Sequence, residues 1–174
     1  WRRELPESGN SSPIVWGDRV FLTQPLSEQK KGALICVRTT DGKQLWQQAV
    51  EYGEGEASHK TNPYCSSSPV TDGERVIVWF GSAGILCYDM DGNELWRKDL
   101  GPLDHMWGYG TSPILHKNLC ILNFGPGANE ALVALDKTTG EEVWRVDPLS
   151  VDEELELTGP ENDGNVDPAR DGQD

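Results

Sequence analysis

A hairpin motif that occurs three times constrains the fold more than any other feature of the sequence. Its fullest copy, residues 134–144, reads ALDKTTGEEVW, and the two earlier copies read CVRTTDGKQLW (residues 36–46) and CYDMDGNELW (residues 87–96). Each copy has an alternating segment, a turn that contains glycine, and a second segment that ends on tryptophan, which predicts two antiparallel strands. Three such hairpins at nearly constant spacing indicate a repeat protein.

A second unit precedes each hairpin and begins with a Ser-Pro pair. Ser12, Ser68 and Ser112 each open a short apolar segment, a tight turn and another alternating segment. Proline lacks an amide hydrogen and suits the start of a strand, so we interpret these serines as structural markers. Each repeat therefore reads as four strands joined by two tight turns and one longer loop. This pattern predicts one propeller blade per repeat.

The third hairpin satisfies the pattern A-x-D-x-x-T-G-x-x-x-W through Ala134, Asp136, Thr139, Gly140 and Trp144. This pattern resembles the tryptophan-docking motif of the PQQ-like β-propellers, a WD40-like superfamily that includes quinoprotein dehydrogenases and propellers similar to the outer-membrane barrel-assembly lipoprotein. In that family the motif spans the two outer strands of a blade, and the tryptophan packs between blades. The first copy departs from the pattern at Arg38, and the second lacks one turn residue.

The resemblance implies an all-β propeller of four-stranded antiparallel blades, with docking tryptophans Trp46, Trp96 and Trp144 that we expect to be largely buried. We predict that residues 1–150 hold about three blades, at about 11–50, 67–100 and 111–147. Trp1 would open the outermost strand of a preceding blade, because its surroundings align with those of Trp46 and Trp96. Since propellers have about four to eight blades, we expect a fragment of a seven- or eight-bladed ring, or closure with a second copy.

The charge distribution limits the classes of partner. The formal net charge is −14, and the segment after Pro148 contributes nine acidic residues against one arginine. This segment has few apolar residues, so we interpret residues 151–174 as an acidic disordered tail or linker. No basic, aromatic-rich surface for nucleic acid and no apolar run long enough for membrane insertion are evident.

The four cysteines lack any C-x-x-C pair, which disfavours a metal site. Cys36 and Cys87 occupy the position of Ala134, which predicts small, buried and unpaired side chains. Cys65 and Cys120 are interpreted in the same way as structural thiols. By contrast, we predict His116 to be exposed at a tight turn.

The loops expected on one face of the blades hold the candidate ligand-binding residues: His59, Lys60, Asn62, Tyr64, Trp107 and Tyr109. Aromatic faces combined with hydrogen-bonding groups suit a peptide, a glycan or a small polar ligand. The alternative is that Trp107 and Tyr109 fill gaps between blades.

Catalytic interpretations have less support. A triad of His59 with Ser66, Ser67 or Ser68 is disfavoured, because Ser68 recurs in other blades without a matching histidine. The acidic tail also lacks the ligand spacing of an EF-hand calcium loop.

Two functions follow from the resemblance. The first is a non-catalytic scaffold without a cofactor that binds a protein, a glycan or a small polar ligand. The alternative is part of a quinoprotein alcohol dehydrogenase that depends on PQQ and calcium. Those dehydrogenases resemble one another in a vicinal Cys-Cys disulfide, whereas this chain has no adjacent cysteines. The resemblance implies a periplasmic or extracellular location.

Overall fold

The computed structural model describes residues 1–52, 58–59, 61–149 and 153. Its regular structure is almost entirely β, in three four-stranded antiparallel sheets. The fold class predicted from the repeats is therefore confirmed. The predicted tail at 151–174 lies outside the described residues, apart from Glu153.

Each sheet is formed by four consecutive strands in chain order. The first contains β1 (Ile14–Trp16), β2 (Arg19–Leu26), β3 (Lys31–Arg38) and β4 (Gln44–Glu51). The second contains β5 (Val70–Thr71), β6 (Arg75–Trp79), β7 (Ile85–Asp89) and β8 (Glu94–Lys98). The third contains β9 (Ile114–His116), β10 (Leu119–Phe124), β11 (Ala131–Asp136) and β12 (Glu142–Val146). Two short 3₁₀ helices, Ser27–Gln29 and Gly81–Ala83, lie in the loops between the second and third strands of the first two sheets.

A register shift interrupts the outer hairpin of every sheet at the same place. It follows Cys36 in the first sheet, Cys87 in the second and Ala134 in the third. Each of these residues pairs with the tryptophan of its hairpin. An irregularity of this kind increases local strand twist. Its recurrence shows that the three hairpins are equivalent in backbone geometry as well as in sequence.

Two apolar clusters join neighbouring sheets. Phe21, Leu34 and Cys36 of the first sheet pack with Val76 and Leu86 of the second. The opposite face of the second sheet contributes Trp79 and Cys87 to a cluster with Cys120, Leu122 and Val133 of the third. Strand residues therefore alternate between two buried faces, which is why the middle strands are apolar throughout.

The tryptophans of the hairpins connect the blades. Trp46 lies against Gly92 of the second blade, and Trp96 lies against Gly140 of the third. The indole Nε1 of Trp46 donates to the Met90 carbonyl at 2.9 Å, and that of Trp96 donates to the Lys137 carbonyl at 3.1 Å. Trp46 and Trp96 therefore each contact the turn of the following blade.

The degree of burial differs from the prediction, because Trp46, Trp96 and Trp144 are only partly buried. One side of each docked indole rests on the turn of the next blade, and the turn is too small to cover the other side. Trp144 has no equivalent turn against it within the part of the chain that the structure describes.

The start of the chain repeats the docking contact without forming a strand. Trp1 lies against Gly42, and its Nε1 donates to the Thr39 carbonyl at 2.7 Å. Residues 1–13 pair with no strand of the described chain, so the strand predicted at Trp1 as part of a preceding blade stays a prediction. Arg3 contacts Gln44 of β4, and Glu7 accepts hydrogen bonds from Ser27 in the loop between β2 and β3.

The Ser-Pro serines link the blades at their inner edge. The backbone amide of Ser12 donates to Ser68 Oγ at 2.8 Å, and the amide of Ser68 donates to Ser112 Oγ at 2.9 Å. Their structural interpretation is therefore supported by a direct contact between blades. It also explains why serine recurs before each proline.

The cysteine and histidine predictions are confirmed. None of the four cysteines forms a disulfide, all four are buried, and His116 is exposed at the end of β9. Burial raises the pKa of the Cys36 thiol to about 11 and that of Cys87 to about 12. These groups are consequently protonated packing residues at neutral pH. Within the described residues, no helix is long and apolar enough to cross a membrane.

Candidate functional site

The candidate site lies where two connections between blades meet. One connection follows β4 and includes residues 58–59 and 61–67, and the other follows β8 and includes residues 104–111. The contacts between them are made mostly by one polar side chain and one pair of aromatic rings. We call the exposed surface formed by His59, Met106 and Trp107 the loop-face patch.

Asn62 ties the two connections together. Its Nδ2 donates to the Trp107 carbonyl at 2.7 Å and to the Tyr109 carbonyl at 3.0 Å. The backbone of Asn62 pairs in both directions with that of His59, which forms an isolated antiparallel bridge. One asparagine thus satisfies two backbone acceptors in a neighbouring loop, which fixes the separation of the two loops.

His59 and Trp107 form the wall of the loop-face patch. Their ring centroids lie 4.4 Å apart, with the rings at 62° to each other. The Nδ1 of His59 is 2.8 Å from Thr61 Oγ1, which holds the imidazole in place. Together with Met106, the two rings line a shallow, open depression of about 110 Å³. Trp107 stays half-exposed, so part of its indole is available to a ligand.

Met106 is a member of the patch that sequence reasoning missed. Its side chain is 71% exposed, and that of Trp107 is 51% exposed. The adjacent aromatic Trp107 drew attention to this loop, but no pattern distinguished Met106 from an ordinary loop residue. Exposed methionine and tryptophan side by side form the apolar part of the site.

Tyr109 is a packing residue, which corrects its prediction as a ligand-binding side chain. It is 3% exposed, and its ring centroid lies 4.7 Å from that of Trp79. Its hydroxyl accepts a hydrogen bond from the backbone amide of Cys65 at 3.3 Å. The gap-filling alternative therefore applies to Tyr109, whereas exposed Trp107 does not fill a gap between blades.

Tyr64 also contributes to packing more than to an open surface. It is partly buried and stacks on Tyr52, with ring centroids 3.9 Å apart and an interplanar angle of 24°. The Tyr52 hydroxyl lies 4.0 Å from Cys65 Sγ, and burial raises the pKa of Tyr52 well above its usual range. The pair supports the base of the loop that carries His59. Lys60, the remaining predicted residue, lies outside the described residues.

Buried polar contacts anchor the same loop where it enters the second blade. Thr23 Oγ1 lies 2.8 Å from the carbonyl oxygens of both Cys65 and Ser67. Cys65 adopts a positive φ of 65°, which is uncommon for a residue with a side chain. The surrounding contacts from Thr23 and Tyr109 hold this backbone in place. The loop therefore has a rigid base beneath the exposed patch.

Potential metal ligands do not cluster in the described part of the chain. Among the residues that the structure describes, no three His, Cys, Asp or Glu side chains converge to form a metal site. Calcium in proteins takes about six to eight oxygen ligands, many of them carboxylates.

Comparisons with known proteins agree with the repeat architecture. A family model described as outer membrane protein assembly factor BamB matches residues 1–146 and, in a second match, residues 81–166. A curated relative of the same description, from Alkalilimnicola ehrlichii, is 26% identical over 162 residues. That match covers 87% of this chain and 35% of the relative. The chain therefore spans about a third of the length of that curated relative.

Solved structures share the fold at low sequence identity. A europium-containing methanol dehydrogenase superposes with a TM-score of 0.62 at 14% identity, covering 84% of this chain and 26% of the other. BamB from Moraxella catarrhalis gives a TM-score of 0.53 at 15% identity, with coverages of 87% and 43%. The quinohemoprotein alcohol dehydrogenase of Comamonas testosteroni gives 0.59 at 16% identity, with coverages of 78% and 20%. These likenesses show the fold, which scaffolds and dehydrogenases have in common.

The docked tryptophans, the repeated irregularity in each outer hairpin and the family match over most of the chain lead to one assignment: the chain belongs to the family of PQQ-like β-propellers described by outer membrane protein assembly factor BamB.

Proposed function

We propose that this chain is a non-catalytic propeller module that binds a protein partner through the loop-face patch. The observation that carries the proposal is the contact of Asn62 with the Trp107 and Tyr109 carbonyls, which fixes two loops and leaves Met106 and Trp107 exposed. Exposed aromatic and methionine side chains on a rigid base are typical of protein interfaces. The loop-face patch contains no nucleophile beside a general base, so its chemistry favours binding.

The relatives suggest where such a module acts. Those with the same family description are named as assembly factors for outer membrane proteins. We accordingly propose a periplasmic location beside the outer membrane and a partner among the proteins that assemble there. Further blades, from the same polypeptide or a second copy, would cover the docking surface at Trp144, and residues 151–174 would serve as a linker or tail.

A site-specific photocrosslinker tests this proposal. Benzoylphenylalanine would replace Trp107 in one variant and Leu95 in a matched control, each expressed in the native host. Leu95 is also 51% exposed but lies on β8, outside the loop-face patch. We expect irradiation to give a discrete adduct with an outer membrane assembly protein at position 107 and none at 95. Equal adducts at both positions, or none at either, would contradict the proposal.

The dehydrogenase alternative has its own measurement. The protein from its native host would be incubated with PQQ, calcium and a primary alcohol, and dye reduction would be followed. We expect no alcohol-dependent reduction. Reduction that requires both PQQ and calcium would establish the dehydrogenase and overturn the scaffold.

A further inference from the structure

The first sheet has the longest open edge. Each sheet ends on its fourth strand, and in the described chain no strand pairs with the far side of β4, β8 or β12. β4 has eight residues, whereas β8 and β12 have five each. Beyond the register shift, β4 pairs with β3 over six residues, 46–51, and the other two fourth strands continue for three residues each. β4 therefore presents the longest regular edge to a further strand.

This edge also lacks charged residues. Residues 44–50 read QLWQQAV, a run without a charged residue or a proline. The other two fourth strands carry charged residues, at Glu94, Arg97, Lys98, Glu142 and Arg145. Charged side chains and proline are among the means by which natural proteins prevent an open edge from pairing with another chain. In β4 these means are absent before Glu51, which is its last residue.

The backbone of β4 directs alternate hydrogen-bonding groups away from β3. The Tyr52 amide donates to the Lys30 carbonyl at 3.1 Å. Because the direction of these groups alternates along an antiparallel strand, the amides and carbonyls of Gln47, Ala49 and Glu51 face outward. All three residues are exposed. The outer side of β4 thus holds a regular series of donors and acceptors that a further strand can satisfy.

The segment before β1 leaves this series uncovered within the described chain. Residues 1–13 pair with no strand there. Trp1 and Arg3 contact the turn before β4, and Arg3 also contacts Gln44, the first residue of the strand. These contacts lie at the start of β4, so its outward-facing residues stay exposed.

A strand of another protein suits this edge better than a second copy of β4. Two strands of this length meet along a strip about 26 Å long and one strand wide. Stable interfaces bury at least about 1,200 Å², which is far more than such a strip provides. An extended segment can bind at an edge of this kind, because main-chain hydrogen bonds supply its affinity.

From the length, the missing charges and the outward backbone groups, we infer that the outer edge of β4 binds an extended, uncharged segment of a partner protein as a fifth strand. In the antiparallel arrangement, the residues that pair with Gln47 and Ala49 lie on the exposed side of the sheet and are polar. The residues between them lie on the side of Trp46, whose partly buried indole favours a β-branched apolar neighbour. This surface is separate from the loop-face patch, so it goes beyond the proposed function.

Three peptides test the inference on the full chain labelled with ¹⁵N. The first is acetyl-Ser-Val-Thr-Val-Thr-Val-Ser-amide, the second carries N-methyl groups on both threonines, and the third carries them on the first two valines. When the threonines pair with Gln47 and Ala49, their amides donate to β4, whereas the valine amides face away. We expect the first and third peptides to shift the amide signals of Gln47 and Ala49 in a saturable way and to slow their hydrogen exchange at least about five-fold. The second peptide is expected to do neither.

Two variants provide the controls. Ala49→Pro removes an outward-facing amide without removing a bond to β3, and proline is tolerated at such edge positions. This variant should fold and lose the peptide-induced shifts. Leu95→Lys, on the exposed side of β8, should preserve them. The methylated peptides act on the unchanged chain, so they remain decisive if Ala49→Pro does not fold.

Each contrary result has a defined meaning. Equal binding of the two methylated peptides, or shifts that survive in Ala49→Pro, would overturn the fifth strand. Protection of Gln47 and Ala49 that grows with chain concentration in the absence of peptide, with a dimer in sedimentation velocity, would overturn it in favour of a second copy. No shift with any peptide would also overturn the inference, and a photocrosslink at position 107 would then leave the proposed function intact.

Discussion

Trp96 of the second blade lies against Gly140 of the third, and its indole Nε1 donates a hydrogen bond to the Lys137 carbonyl at 3.1 Å. The same relationship joins Trp46 to Gly92 and Trp1 to Gly42. A contact made by one residue of each blade with one turn of the next explains why the sequence repeats tryptophan and glycine together. It also identifies where the packing between blades is most sensitive to substitution.

Truncation of a docked tryptophan should weaken the packing between blades. Truncation of a fully buried large aromatic side chain to alanine lowers the free energy of unfolding by about 3 to 5 kcal/mol. Because Trp96 is only partly buried, we expect Trp96→Ala to lower the free energy of unfolding by about 2 to 3 kcal/mol. Urea unfolding followed by circular dichroism measures this change. The adjacent exposed Leu95→Ala is the control, and a Trp96→Ala loss no larger than that of the control would refute the docking contact.

The glycine on the other side of this contact should be equally intolerant of a side chain. Gly140 has a φ of 75°, and a Cβ atom there would come within 2.6 Å of the Trp96 indole. Gly17 has a φ of 57° but no heavy atom within 4 Å of such a Cβ. Backbone strain should lower the free energy of unfolding of both Gly→Ala variants by about 1 kcal/mol. The clash with Trp96 should lower that of Gly140→Ala by at least about 1 kcal/mol more. Equal losses for the two variants in urea unfolding would contradict the close approach of Trp96.

An ion cluster between the second and third blades should make stability depend on pH. Lys137 Nζ lies 2.9 Å from Asp72 Oδ2, and Arg75 Nη1 lies 2.8 Å from the same oxygen. Burial alone would raise the pKa of Asp72, but Lys137, the backbone amides of Glu74 and Arg75, and the Arg75 charge together lower it to about 2. The folded state therefore favours the ionised carboxylate. Its contribution is complete above the unfolded pKa of about 3.9 and is lost as the pH falls toward 2.

Substitution of Asp72 isolates that contribution. We expect Asp72→Asn to destabilise the chain by about 2 kcal/mol at pH 7 and by much less near pH 2.5, where wild-type Asp72 is becoming protonated. Guanidinium unfolding at a series of pH values measures the difference between the two proteins. Asp91→Asn, which removes an exposed partner of Arg19, is the control and should show a smaller change. A difference for Asp72→Asn that is independent of pH would contradict the assignment.

The thiols should be inert in the native chain. Burial raises the pKa of Cys36 to about 11 and the pKa values of Cys87 and Cys120 to about 12, and Cys65 is fully buried. Because the thiolate is the reactive form, we expect no rapid reaction with Ellman's reagent at pH 8. Four thiols should react at once in 6 M guanidinium. Rapid labelling of Cys36 and Cys87 under native conditions would show that their positions between the blades are wrong.

The sequence contains most of the information for the blades and less for the site. The hairpins were predictable because Gly42, Gly92 and Gly140 mark tight turns between alternating segments. Such local preferences agree with the overall fold in natural proteins. The register shift after Cys36, Cys87 and Ala134 was not predictable, because it arises from the twist of paired strands.

The site depends on contacts between loops that are distant in sequence. Tyr109 resembled an exposed ligand-binding residue, but the hydrophobic pocket beside Trp79 buries it. Asn62 was identified by residue type, yet its role in fixing the Trp107 loop required knowledge of two carbonyl positions. Met106 carried no pattern, so its exposure beside Trp107 was visible only in three dimensions.

Hydrogen exchange of the indole Nε1–H groups tests both the docking between blades and the exposure of the loop-face patch in one spectrum. The chain has seven tryptophans, and their indole ¹H–¹⁵N signals can be assigned by single substitutions. We expect slow exchange for Trp46 and Trp96, which donate to turns of the next blade, and for Trp79, which donates to the Gly81 carbonyl at 3.0 Å. We expect fast exchange for Trp107, whose side chain is 51% exposed. Fast exchange at Trp46 and Trp96, or strong protection at Trp107, would contradict the arrangement of blades and loop-face patch described above.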